Sequence, residues 1–139
     1  MWYYRNQSEN FTDDDVGDNY GFVYCITNRA TGKKYIGKKF FWSKRTLPPL
    51  KGKTRKRKKT VMSDWQDYYG SNAELKLLVE KNGTDVYHRE ILRLCKTKGE
   101  CSYYEAKLQF ENDVLLSDEY YNEFIGCKIH ASHVKHLKS

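Results

Sequence analysis

The chain has 139 residues, of which 39% are hydrophobic and 15% aromatic, and it carries twelve tyrosines and a formal net charge of +7. This length suits one domain with a modest core. No apolar run approaches the roughly eighteen residues of a membrane helix, and the N-terminus lacks the pattern of a signal peptide. The sequence therefore predicts a cytoplasmic protein with no membrane partner.

The first 19 residues are predicted to form an acidic N-terminal arm, either ordered or flexible, because they carry five acidic side chains against Arg5 alone. Two apolar runs follow at residues 22–27 and 34–37, separated by turn residues, and this pattern predicts a β-hairpin. Residues 40–46 are predicted to begin a helix that Pro48-Pro49 must end.

Positive charge is concentrated between residues 38 and 59, which contain eleven basic side chains and no acidic one. The insertion at about 47–60 has too little apolar content to fold on itself, so we expect a mobile loop unless a polyanion orders it. Such a concentration indicates nucleic acid as partner, although charge runs are also often simply solvated. The candidate DNA contacts are Lys38, Lys39, Lys51, Lys53, Arg55, Lys56, Arg57, Lys58 and Lys59.

Two capping-box patterns, Ser63-Asp64-Trp65-Gln66 and Ser71-Asn72-Ala73-Glu74, predict helices that end at Gly70 and at Asn82-Gly83. Residues 86–95 read as a third strand. A helix of about fifteen residues follows, and its predicted apolar stripe consists of Tyr103, Ala106, Phe110 and Val114.

This order of elements predicts a compact α+β domain with a small sheet over residues 20–127, followed by a polar tail at 128–139. The four cysteines form no CxxC pair, which is typical of free thiols in a reducing compartment. Cys127 and the tail histidines 130, 133 and 136 are a possible metal site, but such histidines are more often solvated.

Tyr24 and Tyr35 lie eleven positions apart on the two hairpin strands. A tyrosine on a strand is usually a packing residue, yet further features point to chemistry. Arg45 follows Tyr35 by ten residues, and Glu105 stands near the start of the long helix, where the helix N-terminus favours a carboxylate. Gly37, beside the second tyrosine, allows a close approach to the backbone.

These residues resemble the GIY-YIG nuclease family. That family places a Gly-Ile-Tyr motif before a Tyr-Ile-Gly motif; here the second is intact at residues 35–37, while the first reads Phe22-Val23-Tyr24. Arg45, Glu105 and Asn122 match the family's later Arg, Glu and Asn in order and spacing. The resemblance extends over residues 20–127.

The resemblance implies an α+β fold with a three-stranded antiparallel sheet flanked by helices. It also implies metal-dependent hydrolysis of DNA, with double-stranded DNA as the expected substrate, to 5′-phosphate and 3′-hydroxyl ends. Glu105 would bind Mg²⁺ or Mn²⁺, and Arg45 would bind the phosphate. Tyr24 would take a proton from the attacking water, with a pKa depressed by nearby lysines or the metal, while Tyr35 orients the reactants and Asn122 steadies the site.

The sequence departs from the family at one position, because many members carry a histidine one helical turn after the Arg, where this chain has Pro49. The candidates for the missing proton-transfer or phosphate-binding role are Lys44, Tyr68, Tyr69 and His88.

Two other functions stay open at this point. A non-catalytic nucleic-acid-binding module could use the same fold with the basic residues 51–60, and a nuclease could instead use a tyrosine as nucleophile. The compact architecture favours a phage or mobile-element nuclease, with homing, restriction and repair roles and a homodimer all possible.

Overall fold

The computed structural model describes residues 1–138 and has seven strands and two α-helices. The strands are β1 (Trp2–Tyr4), β2 (Asn10–Phe11), β3 (Gly21–Asn28), β4 (Lys34–Phe40), β5 (Trp42–Leu47), β6 (Arg57–Met62) and β7 (Tyr87–Cys95). The helices are α1 (Ala73–Asn82) and α2 (Lys98–Glu111). The predicted α+β class and the predicted hairpin of β3 and β4 are confirmed.

The main sheet has five strands in the order β2-β1-β7-β3-β4. β3 lies between β7 and β4 and is antiparallel to both, as the predicted three-stranded sheet requires. The number of strands was wrong, however, because β1 runs parallel to β7 and β2 pairs with β1. These added strands contain only three and two residues, too few to show a periodic pattern in the sequence.

The N-terminal arm is ordered and forms part of the core. Trp2, Phe11 and Val16 are buried, and Trp2 Nε1 donates a hydrogen bond to the carbonyl of Trp65 at 2.8 Å. Burial of these apolar side chains stabilises the arm in spite of its acidic composition.

The prediction of a helix at 40–46 was wrong, and the loop predicted at about 47–60 is confirmed only for residues 48–56, because residues 57–60 belong to β6. β5 and β6 pair as a separate two-stranded antiparallel sheet, with Trp42 opposite Met62 and Leu47 opposite Arg57. Pro48-Pro49 follows the end of a strand, not of a helix. Because side chains alternate between the two faces of this exposed hairpin, all of its basic groups stay in water.

The helix predicted at 63–70 is also absent, and only a 3₁₀ turn at Trp65–Asp67 forms. The backbone becomes extended at Tyr68 and reaches a φ of +90° at Gly70, a conformation that favours glycine and cannot continue a helix. Trp65 is fully buried, so its packing anchors this turn.

Both remaining helices and the third strand are confirmed. The side chain of Asn72 caps α1 by accepting from Leu75 N, and Gly83 ends that helix with a φ of +83°. Thr97 caps α2 by accepting from Glu100 N. The predicted stripe on α2 is wrong at Phe110, which is 62% exposed because the buried face passes instead through Cys101, Ala106 and Gln109.

The sheet is covered on both faces. Val23 and Cys25 of β3 pack beneath α2 with Cys101, whereas Phe22, Tyr24 and Ile26 face the layer that contains Trp65 and Leu75. This arrangement explains why β3 is a nearly continuous apolar run. Within residues 1–138, neither helix has the length and apolar character needed to cross a membrane.

Candidate active site

Tyr24 lies at the centre of β3 with a fully buried side chain. Its register partner on β4 is Gly37. A β-carbon at position 37 would lie only 2.5 Å from Tyr24 Oη and 3.0 Å from Tyr35 Cε1. The glycine of the Tyr-Ile-Gly motif therefore makes room for the two tyrosines, and the close approach expected at this position is made by side chains of the protein itself.

Tyr35 and Tyr68 flank Tyr24. The Tyr24 ring centroid lies 6.2 Å from that of Tyr35 and 5.9 Å from that of Tyr68, the second pair meeting edge to face. Tyr35 Oη lies 3.0 Å from Ser71 Oγ, and this hydrogen bond fixes the direction of the phenol. The Lys39 ammonium sits 4.2 Å above the Tyr68 ring and forms an ion pair with Asp64 at 2.7 Å.

Burial raises the pKa of Tyr24 well above its ordinary value, and the neighbouring Tyr68 and Tyr35 hydroxyls raise it further. Burial likewise raises the pKa of Tyr35. The negative charge of Glu105 adds to both shifts. The nearby lysines therefore do not depress the Tyr24 pKa as expected, and a depression caused by a bound metal stays a prediction.

Glu105 projects from the second turn of α2 and faces the edge of β4. Its Oε1 lies 3.8 Å from Lys38 Nζ, which also donates to Ser102 Oγ at 2.9 Å. Burial raises the pKa of Glu105, and the Lys38 ammonium offsets part of that rise. Lys38 follows Gly37 in β4 and projects to the opposite face of the strand, so Glu105 reaches β4 from the α2 face and the two phenols lie on the other face. We call Tyr24, Tyr35, Lys38, Tyr68 and Glu105 the β4-edge cluster.

Asn122 is buried and bonds to the backbone of Ile36, the middle residue of the Tyr-Ile-Gly motif. Its Oδ1 accepts from Ile36 N at 3.1 Å, and its Nδ2 donates to Ile36 O at 2.8 Å. Gln109 Nε2 of α2 donates to the same carbonyl at 2.9 Å. Asn122 thus satisfies an edge strand's backbone groups, and it steadies the β4-edge cluster through the backbone.

Several residues predicted from sequence lie outside the β4-edge cluster. Among residues 1–138, Arg45 makes no hydrogen bond or ion pair with the tyrosines or Glu105; it is exposed on β5, beside Lys44. His88 pairs with Thr27 at the far end of β3 and stacks on Tyr3 at 5.2 Å.

Tyr69 is also outside the cluster, because it packs 4.1 Å from the guanidinium of Arg89. Sequence reasoning missed Arg89, which is only 3% exposed and donates to the carbonyls of Gln66 and Tyr68 at 2.8 and 3.0 Å. It therefore holds the segment that presents Tyr68 to Tyr24. The sequence did indicate a special role for Arg89: in the alternating strand, it is a charged residue between the buried positions Tyr87 and Ile91.

Glu105 is suited to hold a metal ion as a single ligand. In the described part of the chain, no three His, Cys, Asp or Glu side chains cluster, and this includes Cys127 and the tail histidines. A lone carboxylate with a desolvated oxygen suits Mg²⁺, which keeps several waters and takes further ligands from substrate phosphates. A bound cation would also favour the ionised form that burial opposes.

Comparison with known proteins agrees with this arrangement. The family model described as "Putative endonuclease segE, GIY-YIG domain" matches residues 2–125. A curated protein named "Putative endonuclease segE", from Enterobacteria phage T4, is 31% identical over 104 residues, which are 74% of this chain and 40% of that relative. No solved structure matches. Because the family model spans nearly all of the sequence, the chain belongs to the GIY-YIG nuclease family.

Proposed function

We propose that the protein is a metal-dependent DNA endonuclease that hydrolyses phosphodiester bonds of double-stranded DNA to 5′-phosphate and 3′-hydroxyl ends. The observation that carries this proposal is the arrangement at β4, where Gly37 lies against the rings of Tyr24 and Tyr35 and the next residue, Lys38, has its Nζ 3.8 Å from Glu105 Oε1, on a chain of the GIY-YIG family. Two phenols and one carboxylate suit water positioning and cation binding within a single site.

Positive charge is needed where the attacked phosphate becomes a five-coordinate dianion. Lys38 Nζ, 3.8 Å from Glu105 Oε1, would contact one phosphate oxygen. Arg45 would supply a second contact from β5, because its exposed guanidinium can bind two phosphate oxygens at once. The neighbouring Lys44 would act as a phosphate contact and not as a proton carrier.

Glu105 would hold the Mg²⁺ or Mn²⁺ ion, which supplies charge neutralisation at the phosphate and at the leaving oxygen. The ammonium of Lys38 keeps the ionised carboxylate in place before the ion binds. The role of the protein is thus to hold one partly desolvated oxygen ligand beside the phenols.

Tyr24 would position the attacking water by accepting a hydrogen bond at Oη. With its pKa raised by burial, the phenol keeps its own proton in the free protein, so removal of the water proton requires charge brought by the substrate complex. Tyr35, directed by Ser71, would orient the phosphate or the water. Tyr68 would keep Tyr24 in position through its edge-to-face contact.

The similarity to a phage protein supports a phage or mobile-element nuclease that acts in the cytoplasm of the host cell. The chain spans 40% of that relative, so homing, restriction and repair roles and a homodimeric state are separate proposals. Early linear product from supercoiled plasmid would indicate a dimer, and nicked product would indicate a monomer.

The proposal is tested by incubating the protein with supercoiled plasmid in Mg²⁺ and in EDTA, followed by end-group analysis. We expect cleavage only with the metal and ends that ligase can rejoin. Salt-sensitive binding without any cleavage would identify a non-catalytic binding module instead. A protein–DNA adduct that survives denaturation would identify a tyrosine nucleophile and contradict the hydrolytic mechanism.

A further inference from the structure

The hairpin of β5 and β6, residues 42–62, is a basic ribbon that extends from the main fold. It contains nine lysines and arginines and no acidic residue. Its base is fixed where Ser63 N donates to Phe41 O at 2.7 Å and Ser63 Oγ donates to Phe40 O at 2.6 Å. Among residues 1–138, β5 and β6 pair only with each other.

The register distributes positive charge over both faces of the basic ribbon. Residues directly opposite each other in an antiparallel pair project to the same face. Arg45 pairs with Lys59 and Leu47 with Arg57, which places three cations on one face. The alternate positions place Lys44, opposite Thr60, and Lys58, opposite Thr46, on the other face.

The positive charges of the basic ribbon repel each other and have no acidic partner within the ribbon. Arg45 and Lys59 are like charges in a direct cross-strand pair, an arrangement that destabilises a sheet. A two-stranded hairpin is marginally stable in water, and no carboxylate within the ribbon offsets the repulsion. A polyanion that contacts both faces would remove this repulsion and stabilise the paired strands.

The width of the basic ribbon indicates which part of a nucleic acid it can enter. Two strands about 4.8 Å apart, with side chains on both faces, fit the major groove of B-DNA, which is about 12 Å wide and admits a two-stranded ribbon, whereas the minor groove is about 6 Å wide. A ribbon in the major groove has a phosphate backbone on either side, which matches cations on both faces. A single strand would engage one face only.

We propose that the basic ribbon inserts into the major groove of duplex DNA and contacts the phosphates of both strands with its two faces. This inference rests on the proposed function in taking DNA as the substrate. In this position the ribbon orients the duplex relative to the β4-edge cluster, and Arg45 is both a groove contact and a proposed ligand of the attacked phosphate.

The test measures binding of the whole protein to a fluorescent duplex in EDTA, where metal-dependent cleavage does not occur. Lys44→Thr with Lys58→Thr removes two cations from one face, and Arg57→Ser with Lys59→Thr removes two from the other. Lys76→Thr with Lys81→Thr, both exposed on α1, is the matched control. Thermal unfolding verifies that each variant is folded.

We expect each ribbon variant to weaken binding about tenfold or more and to reduce the slope of log K against log salt by about 1 to 2, because each lost phosphate contact contributes about 0.9. The control should match the wild type. A major-groove ligand, methyl green, should compete with the protein, and the minor-groove ligand netropsin should not. A duplex should bind more tightly than a single strand of equal length.

The inference is overturned if either face can lose its cations without effect, if netropsin competes and methyl green does not, or if single strands bind as well as duplex. These outcomes are separate from the failure of the proposed function. Major-groove binding without cleavage in Mg²⁺ would support this inference and contradict the nuclease proposal. Cleavage in Mg²⁺ without competition by methyl green would support the nuclease proposal and contradict this inference.

Discussion

The hydroxyl of Tyr24 occupies the space that a side chain at Gly37 would need. A β-carbon at Gly37 would lie 2.5 Å from Tyr24 Oη and 2.8 Å from Tyr24 Cζ. The two family motifs are therefore one structural unit, in which the glycine of the second motif accepts the tyrosine of the first. In the altered first motif, Phe22 packs on the same face as Tyr24, with ring centroids 6.0 Å apart, and Val23 packs on the other face.

Gly37→Ala should displace Tyr24 and Tyr35, because the nearest atoms belong to buried or half-buried rings that have little freedom to move. A displacement of about 1 Å in an active site can lower the rate about 100-fold, so we expect at least this loss in plasmid cleavage. Gly126→Ala is the control, since its β-carbon would meet nothing closer than 3.5 Å. Wild-type cleavage by Gly37→Ala would refute this account of the motif.

The raised pKa of Tyr24 predicts a loss of stability in alkali. A pKa that is higher in the folded state contributes stability below the unfolded value of about 10, and this contribution is lost as the pH rises through the folded pKa. Above pH 10 the free energy of unfolding should therefore fall less steeply for Tyr24→Phe than for the wild type, by up to about 1.4 kcal/mol per pH unit. Urea titrations at several alkaline pH values measure both slopes. Equal slopes would show that the phenol ionises in the folded protein as easily as in the unfolded chain.

Glu105→Gln should make the protein more stable at neutral pH. Because burial raises the folded pKa of Glu105, its stabilising contribution is present below the unfolded value of about 4.3 and is lost as the pH rises through the folded pKa. At pH 7 the ionised carboxylate is therefore unfavourable, and an amide removes that cost.

Urea unfolding at pH 7 and pH 4 tests this sign. The advantage of Glu105→Gln should be present at pH 7 and diminish at pH 4. Glu111→Gln, on the same helix but with an exposed side chain, is the control. A lower stability of Glu105→Gln at pH 7 would mean that the Lys38 contact outweighs desolvation.

Asn122→Ala should destabilise the fold by about 1–3 kcal/mol, since it leaves the buried N–H of Ile36 without a partner. The Ile36 carbonyl keeps its bond from Gln109, which limits the loss. Asn112→Ala, at the exposed end of α2, is the control. Denaturant unfolding measures the difference, and an unchanged midpoint would show that the edge of β4 needs no such support.

The sequence was sufficient to predict elements with strong local signals. Asn72 and Gly83 predicted the two ends of α1, and the spacing of Tyr24 and Tyr35 predicted both the β3–β4 hairpin and the family. The β1 and β2 strands were out of reach because three-residue and two-residue strands depend on partners distant in the chain, such as Arg89 for Trp2.

The candidate site was predicted in part for a similar reason. Resemblance selected Tyr24, Tyr35 and Glu105; the structure packs the two tyrosines against Gly37 and sets Glu105 beside Lys38 of the same strand, but the helix assumed for Arg45 is a strand. The direction of the Tyr24 pKa could not be read from sequence either. Neighbouring lysines suggested a lower value, whereas complete burial and two adjacent phenols, which are tertiary properties, raise it.

The most direct test of the central claim is single-turnover cleavage of a duplex substrate in Mg²⁺ by Glu105→Gln, with Glu111→Gln as control. With saturating protein, the rate reports the chemical step and not DNA binding. Loss of a group that neutralises transition-state charge typically costs about 100-fold to 1,000-fold, so we predict at least a 100-fold lower rate for Glu105→Gln and an unchanged rate for Glu111→Gln. Cleavage by folded Glu105→Gln at the wild-type rate would contradict the assignment of the β4-edge cluster as the active site.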